Sequence, residues 1–194
     1  MDISDAQNKA IGEFVDLVAS KIGASRAIHP ETAISSAARL AGSLLLRSFN
    51  LSIEPFEPGT VLLSSEANEK GPLLIGAMSA FLSNAGISLD TSLLGGEQSR
   101  RGMEPNLTVL QALTLFQEDA LQISSKNGLS LEEAAQSAAI ATGFIVKECA
   151  GSIGAEVGFN VAAFGFIEGS KTTPPALTYT MSKSPQKKPW YQIW

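Results

Sequence analysis

Ile11, Phe14, Val15, Val18 and Ile22 recur at helical spacing, with Glu13, Asp16 and Lys21 on other sides. The pattern predicts a helix over about Ser4 to Ile22, stopped by Gly23. A second helix is expected from Pro30, whose missing amide proton costs nothing in a first turn, to about Phe49. Pro55, Pro58 and Gly59 then break the helical pattern, and Val61 to Leu63 reads as a short strand or extended buried segment. Leu74, Ile75, Met78, Phe81 and Leu82 predict a third helix opening at Pro72. Val109, Leu110, Leu113, Phe116, Ala120 and Ile123 predict a fourth between about Pro105 and Asn127, closed by Gly128.

Ser130 and Glu133 have the spacing of a capping box, in which two side chains satisfy helix-terminal amides reciprocally, and they mark the start of a fifth helix through EEAAQSAAIATGFIVKECA. Small or apolar residues cover most of its circumference, which places it centrally. The second helix shares that character. Beyond Gly151, the four-residue recurrence of Gly154, Gly158 and Ala162 suggests a sixth helix built for close backbone approach. The matches between ETAISSAARLAG and EEAAQSAAIATG use mostly abundant residue types, and shared packing demands explain them better than duplication. The expected fold is therefore all-α or nearly so: a helical domain of about six helices over residues 1–170, with an extended basic aromatic tail over residues 171–194.

Charge divides the chain in the same way. Through Glu168, nineteen acids face ten Lys and Arg, a net of −9, whereas Lys171, Lys183, Lys187 and Lys188 give the remainder +4. An acidic body repels phosphate backbones, so nucleic-acid binding by the main domain is disfavoured. The apolar run from Ile153 to Ile167 is too short to span a bilayer, and the N-terminus lacks the basic-then-apolar order of a secretory signal, so a cytoplasmic location is expected. A single cysteine, Cys149, and a single histidine, His29, offer no metal framework, and no cofactor is expected.

Candidate chemistry is sparse. His29 stands before Pro30 at a helix start, and a capping or boundary role outweighs catalysis. Cys149 falls on the fifth helix's apolar stripe near its C-terminal end, where the helix dipole disfavours a thiolate, so an inert buried thiol is expected. SSEANEKG, residues 64–71, reads as a solvated turn. Ser35, Arg39, Ser43 and Arg47 form one polar stripe on the second helix; it is either a hydrated face or, if that helix is central, a row that must meet an acidic neighbour, a groove or another subunit. The long connection Ser88 to Glu104 carries Glu97, Arg100 and Arg101, side chains suited to a phosphate or carboxylate, without the glycine-lysine spacing of a P-loop.

The most unusual segment is KSPQKKPWYQIW. Both tryptophans of the chain, Trp190 and Trp194, lie there with Tyr191, beside Lys187 and Lys188. Aromatic side chains near a chain end act as anchors in a pocket, in cis or on a partner protein or second copy. The expected function is that of a non-enzymatic interaction or scaffold protein that self-associates. The alternative is a small-ligand protein or enzyme with a pocket near residues 93–104.

Overall fold

Five of the six helices among the described residues begin at a side chain that accepts a hydrogen bond from the first turn, and these caps fix where those five start. The computed structural model describes residues 3–23, 28–49, 51, 56–95 and 105–177. Helix α1 (Asp5–Ile22), α4 (Val109–Lys126) and α5 (Leu131–Ile153) open on complete capping boxes at Ser4/Gln7, Thr108/Gln111 and Ser130/Glu133. Helix α2 (Pro30–Ser48) is capped by His29, whose Nδ1 accepts from the Thr32 amide at 3.3 Å. Ser64 caps α3 (Ser65–Asn84), its hydroxyl accepting from the Ala67 amide at 3.1 Å. Helix α6 (Ala155–Lys171) has no side-chain cap; Gly154 at φ +85° turns the chain directly out of α5.

The all-α expectation holds, with three corrections. Residues 64–71 are not a turn: Ser64 caps α3, which starts at Ser65, seven residues ahead of Pro72, and Pro72 sits inside the helix. Helix α5 runs through Gly151 to Ile153, and α6 continues past residue 170 to Lys171. The described chain after it, to Leu177, is extended, as expected. Val61 and Thr172 form an isolated antiparallel bridge, reinforced by bonds from the Leu62 amide to the Lys171 carbonyl and from the Thr173 amide to the Thr60 carbonyl. Thr172, Thr173 and Pro174 are buried, so the packed body reaches beyond the boundary expected at residue 170.

Helix α2 is the axle. Every residue from Glu31 to Leu46 is buried, and the helix touches all five others. Its partner along most of its length is α6, and the seam between them is made by glycines. A Cβ on Gly42 would stand 2.5 Å from the Phe166 carbonyl oxygen, one on Gly165 would stand 2.7 Å from the Ala38 Cβ, and one on Gly169 would run into the Arg39 carbonyl. The small-residue stripe read from Gly154, Gly158 and Ala162 is thus displaced: Gly158 packs against Val146 and Ile34, while Gly165 and Gly169 carry the closest approach. Phe14, Phe116, Leu74, Met78, Val146 and Phe166 fill the space around the axle and are fully buried.

Candidate functional site

The polar stripe of α2 is internal, not hydrated. Arg39 is almost entirely buried; its Nε donates to Glu168 Oε2 at 2.7 Å and its Nη1 to the Leu107 carbonyl at 2.6 Å. One turn further along the stripe, Ser43 is buried, and its hydroxyl, like that of Ser36, has no partner among the described residues. Arg47 donates from Nη2 to Gln117 Oε1 at 2.7 Å, and Gln117 Nε2 donates to the Pro175 carbonyl at 3.1 Å. Burial pulls the Arg47 guanidinium below its ordinary pKa. Of the destinations open to a central arginine row, the structure uses an acidic neighbour and a backbone carbonyl for Arg39 and an amide oxygen for Arg47.

This interior polar system also clamps the two ends of the connection that carries Glu97, Arg100 and Arg101. On one side Asn160 of α6, itself buried, donates to the Leu93 carbonyl at 3.0 Å and accepts from the Gly95 amide at 2.9 Å. On the other, the Thr32 hydroxyl accepts from the Asn106 amide at 2.9 Å while Arg39 holds Leu107. His29 joins this side through a 2.9 Å contact between its Nδ1 and the Thr32 hydroxyl, and Glu31 lies 3.2 Å from the same ring nitrogen. Leu93 closes a short 3-10 turn (Thr91–Leu93) ahead of the clamp. Glu97, Arg100 and Arg101 lie outside the described residues.

A second feature is an apolar groove between α1 and α5. Val15, Val18 and Ile22 form one wall, Phe144 and Cys149 the other, and Ile28 stands half-exposed at its end. The groove encloses about 190 Å³ and its accessible lining is entirely apolar. Cys149 was expected on the apolar stripe of α5 and is there, but it is only partly buried. Its thiol is pushed above the ordinary value by burial first, then by the charges of Glu31 and Glu148. Glu148 Oε1 accepts from Lys147 Nζ at 3.0 Å, and that ammonium also lies 5.7 Å from the centre of the Phe144 ring. Periodicity locates both walls, but the gap between them is a tertiary feature with no linear signature.

A hollow of about 210 Å³ lies between α3 and α6, bordered by Pro72, Ile75 and Ile167, with Asn68 and Lys171 at its edge. Lys171 Nζ donates to Asn68 Oδ1 at 3.0 Å. Lys187, Lys188, Trp190, Tyr191 and Trp194 lie outside the described residues. No group of three or more His, Cys, Asp or Glu among the described residues is placed to hold a metal ion, and no described helix is long and apolar enough to cross a membrane. Set against protein-family models, curated proteins and solved structures, the chain matches none of them.

Proposed function

We propose that this chain is a cytoplasmic, non-enzymatic interaction protein that associates with itself or another protein, and that its C-terminal KKPWYQIW segment is the binding element. The observation that carries this reading is the segregation of charge and aromaticity: every tryptophan of the chain lies in a basic end segment attached to a body of net −9 through Glu168. The body supports it with apolar surface outside its core, the α1/α5 groove with Ile28 and Phe144 at its margin. Light scattering across a concentration series tests it. The mass of the full chain is expected to rise with concentration, and deletion of residues 184–194 is expected to abolish the rise. Changing only Lys187 and Lys188 to alanine should weaken association less, and in a salt-sensitive way. A chain that stays monomeric at every concentration, with or without residues 184–194, counts against self-association.

A second reading rests on the double clamp of Asn160 and Thr32, which ties both ends of an arginine-bearing connection to the two central helices. Such anchoring suits a ligand loop built on a rigid scaffold. In that case a small anionic metabolite raises the melting temperature, and Arg100→Ala/Arg101→Ala removes the shift.

A further inference from the structure

The α1/α5 groove has the wrong size and lining for a metabolite. Sites for small ligands enclose roughly 300–1,000 Å³ and carry a few placed polar groups; this one encloses about 190 Å³ with none on its accessible lining. One bulky apolar side chain matches it better. At its wall stand Cys149 and Glu148, whose carboxylate pairs with Lys147, and the buried carboxylate of Glu31 also acts on the Cys149 thiol. The hollow between α3 and α6 is of similar size and also largely apolar, but polar groups line part of it and the Lys171 ammonium stands at its edge beside Asn68. A basic aromatic segment thus suits the first site, which is wholly apolar on its accessible lining and bordered by a carboxylate, better than the second, where a lysine stands at the edge.

Chain length allows the contact. The described chain ends at Leu177, just past Pro175, which is held by Gln117 on α4. Helix α4 lies beside α1, where Lys21 donates to the Leu115 carbonyl at 2.6 Å and Lys126 pairs with Glu13 at 2.8 Å. Crossing α4 and α1 to the groove is a path of about 20 Å, two interhelical spacings. The thirteen residues from Leu177 to Trp190 reach roughly 45 Å when extended. At that reach the tethered segment meets its own groove at a high effective concentration, ahead of a groove on another molecule.

We infer that the C-terminal segment, residues 187–194, folds back onto its own chain and seats an indole ring in the apolar groove between α1 and α5. This rests on the reading of that segment as the binding element and adds its regulation: the groove stores the anchor, and a partner or second copy must compete for it.

The chain carries its own reporters, since its tryptophans lie only in the segment and its one thiol lines the groove. In the full-length protein, tryptophan emission should be blue-shifted relative to the denatured chain. Ile28→Asp, a change at a half-exposed rim position, should return it toward the solvent-exposed position, with circular dichroism confirming the fold. Trp190→Ala/Trp194→Ala should raise the rate at which a small neutral maleimide modifies Cys149 by about tenfold, as expected when a cover protecting a site opens. An unchanged thiol rate overturns the proposal. A blue shift that ignores Ile28→Asp overturns the groove assignment but leaves the segment as a binding element. A blue shift that appears only as mass rises with concentration gives the segment to a second copy and overturns docking in cis. Solvent-like emission with a constant monomeric mass removes both the docking and the self-association on which it builds.

Discussion

Gly169 lies against the carbonyl of Arg39 with no room for a side chain between them. The opposing atoms are backbone on a helix buried along its whole central length, so neither side can yield without separating α2 from α6. Gly169→Ala is therefore expected to cost about 3 kcal/mol or more, at the upper end for overpacking a core. Urea unfolding should show the loss. Gly151→Ala, at an open helical position, should be neutral or mildly stabilising by the same measurement.

Arg39 and Glu168 are unequal partners. The arginine side chain is 7% exposed and the glutamate 46%. Glu168→Gln leaves a hydrogen-bond acceptor in a screened position and should cost about 1 kcal/mol or less. Arg39→Ala removes the buried partner, strips the Leu107 carbonyl of its donor and opens space along α2, and should cost about 3 kcal/mol. Equal losses for the two variants would show that the ion pair, rather than the buried arginine's packing and backbone bond, dominates.

Asn160 replaces a piece of backbone pairing. Asn160→Ala leaves the Leu93 carbonyl and Gly95 amide without their partners and should cost about 2 kcal/mol. Hydrogen exchange should quicken at residues 91–95 while α2 stays protected. Uniform acceleration across the helices would instead mean that the clamp supports the whole fold.

The buried hydroxyls of Ser36 and Ser43 work the other way. Neither has a partner among the described residues, and each carries a desolvation cost with no bond in return. Ser36→Ala and Ser43→Ala are each expected to leave stability unchanged or raise it by up to about 1 kcal/mol, read from melting curves.

Acid should weaken particular helix ends first. The Ser130 hydroxyl and amide hold the Glu133 carboxyl below its ordinary 4.5, and Lys126 and Asn127 do the same for Glu13. A lowered folded-state pKa gives stability that is present above the unfolded value and lost as pH falls from there through the folded value. The melting temperature should therefore decline below about pH 4.5, and Glu133→Gln, which keeps an acceptor that does not titrate, should flatten part of that decline. An identical pH profile for the variant would remove Glu133 from the account.

The legible parts of this fold were those governed by local rules. The apolar stripes of α1 and α4 and the Ser130/Glu133 box are written within a few turns of chain and locate those helices, although α4 opens at Val109, on the Thr108/Gln111 box, four residues after the expected start. Pro72 misled because a proline more often opens a helix than sits inside one, whereas Ser64 already supplied a cap. The Arg39 row was ambiguous for a different reason: its periodicity is the same on a wet face as on a buried one, and only Glu168, far along the chain, decides between them. The α1/α5 groove is likewise a relation between two elements, with nothing in either segment to announce it. The expected ligand residues Glu97, Arg100 and Arg101 and the tail anchors lie outside the described residues.

The enclosure of α2 bears on how the molecule is made. Its sixteen buried residues, Glu31 to Leu46, leave the ribosome early, but the surface that seals them, from Gly158 to Gly169, is translated more than a hundred residues later. At the usual elongation rate of about 5–20 residues per second, the alanine- and leucine-rich segment waits several seconds without its partner. Contacts so distant in sequence also slow the closing step once all the pieces exist. A nascent chain halted before α6 therefore leaves uncovered the helix that is most completely buried in the finished protein, and is a natural client for a holding chaperone.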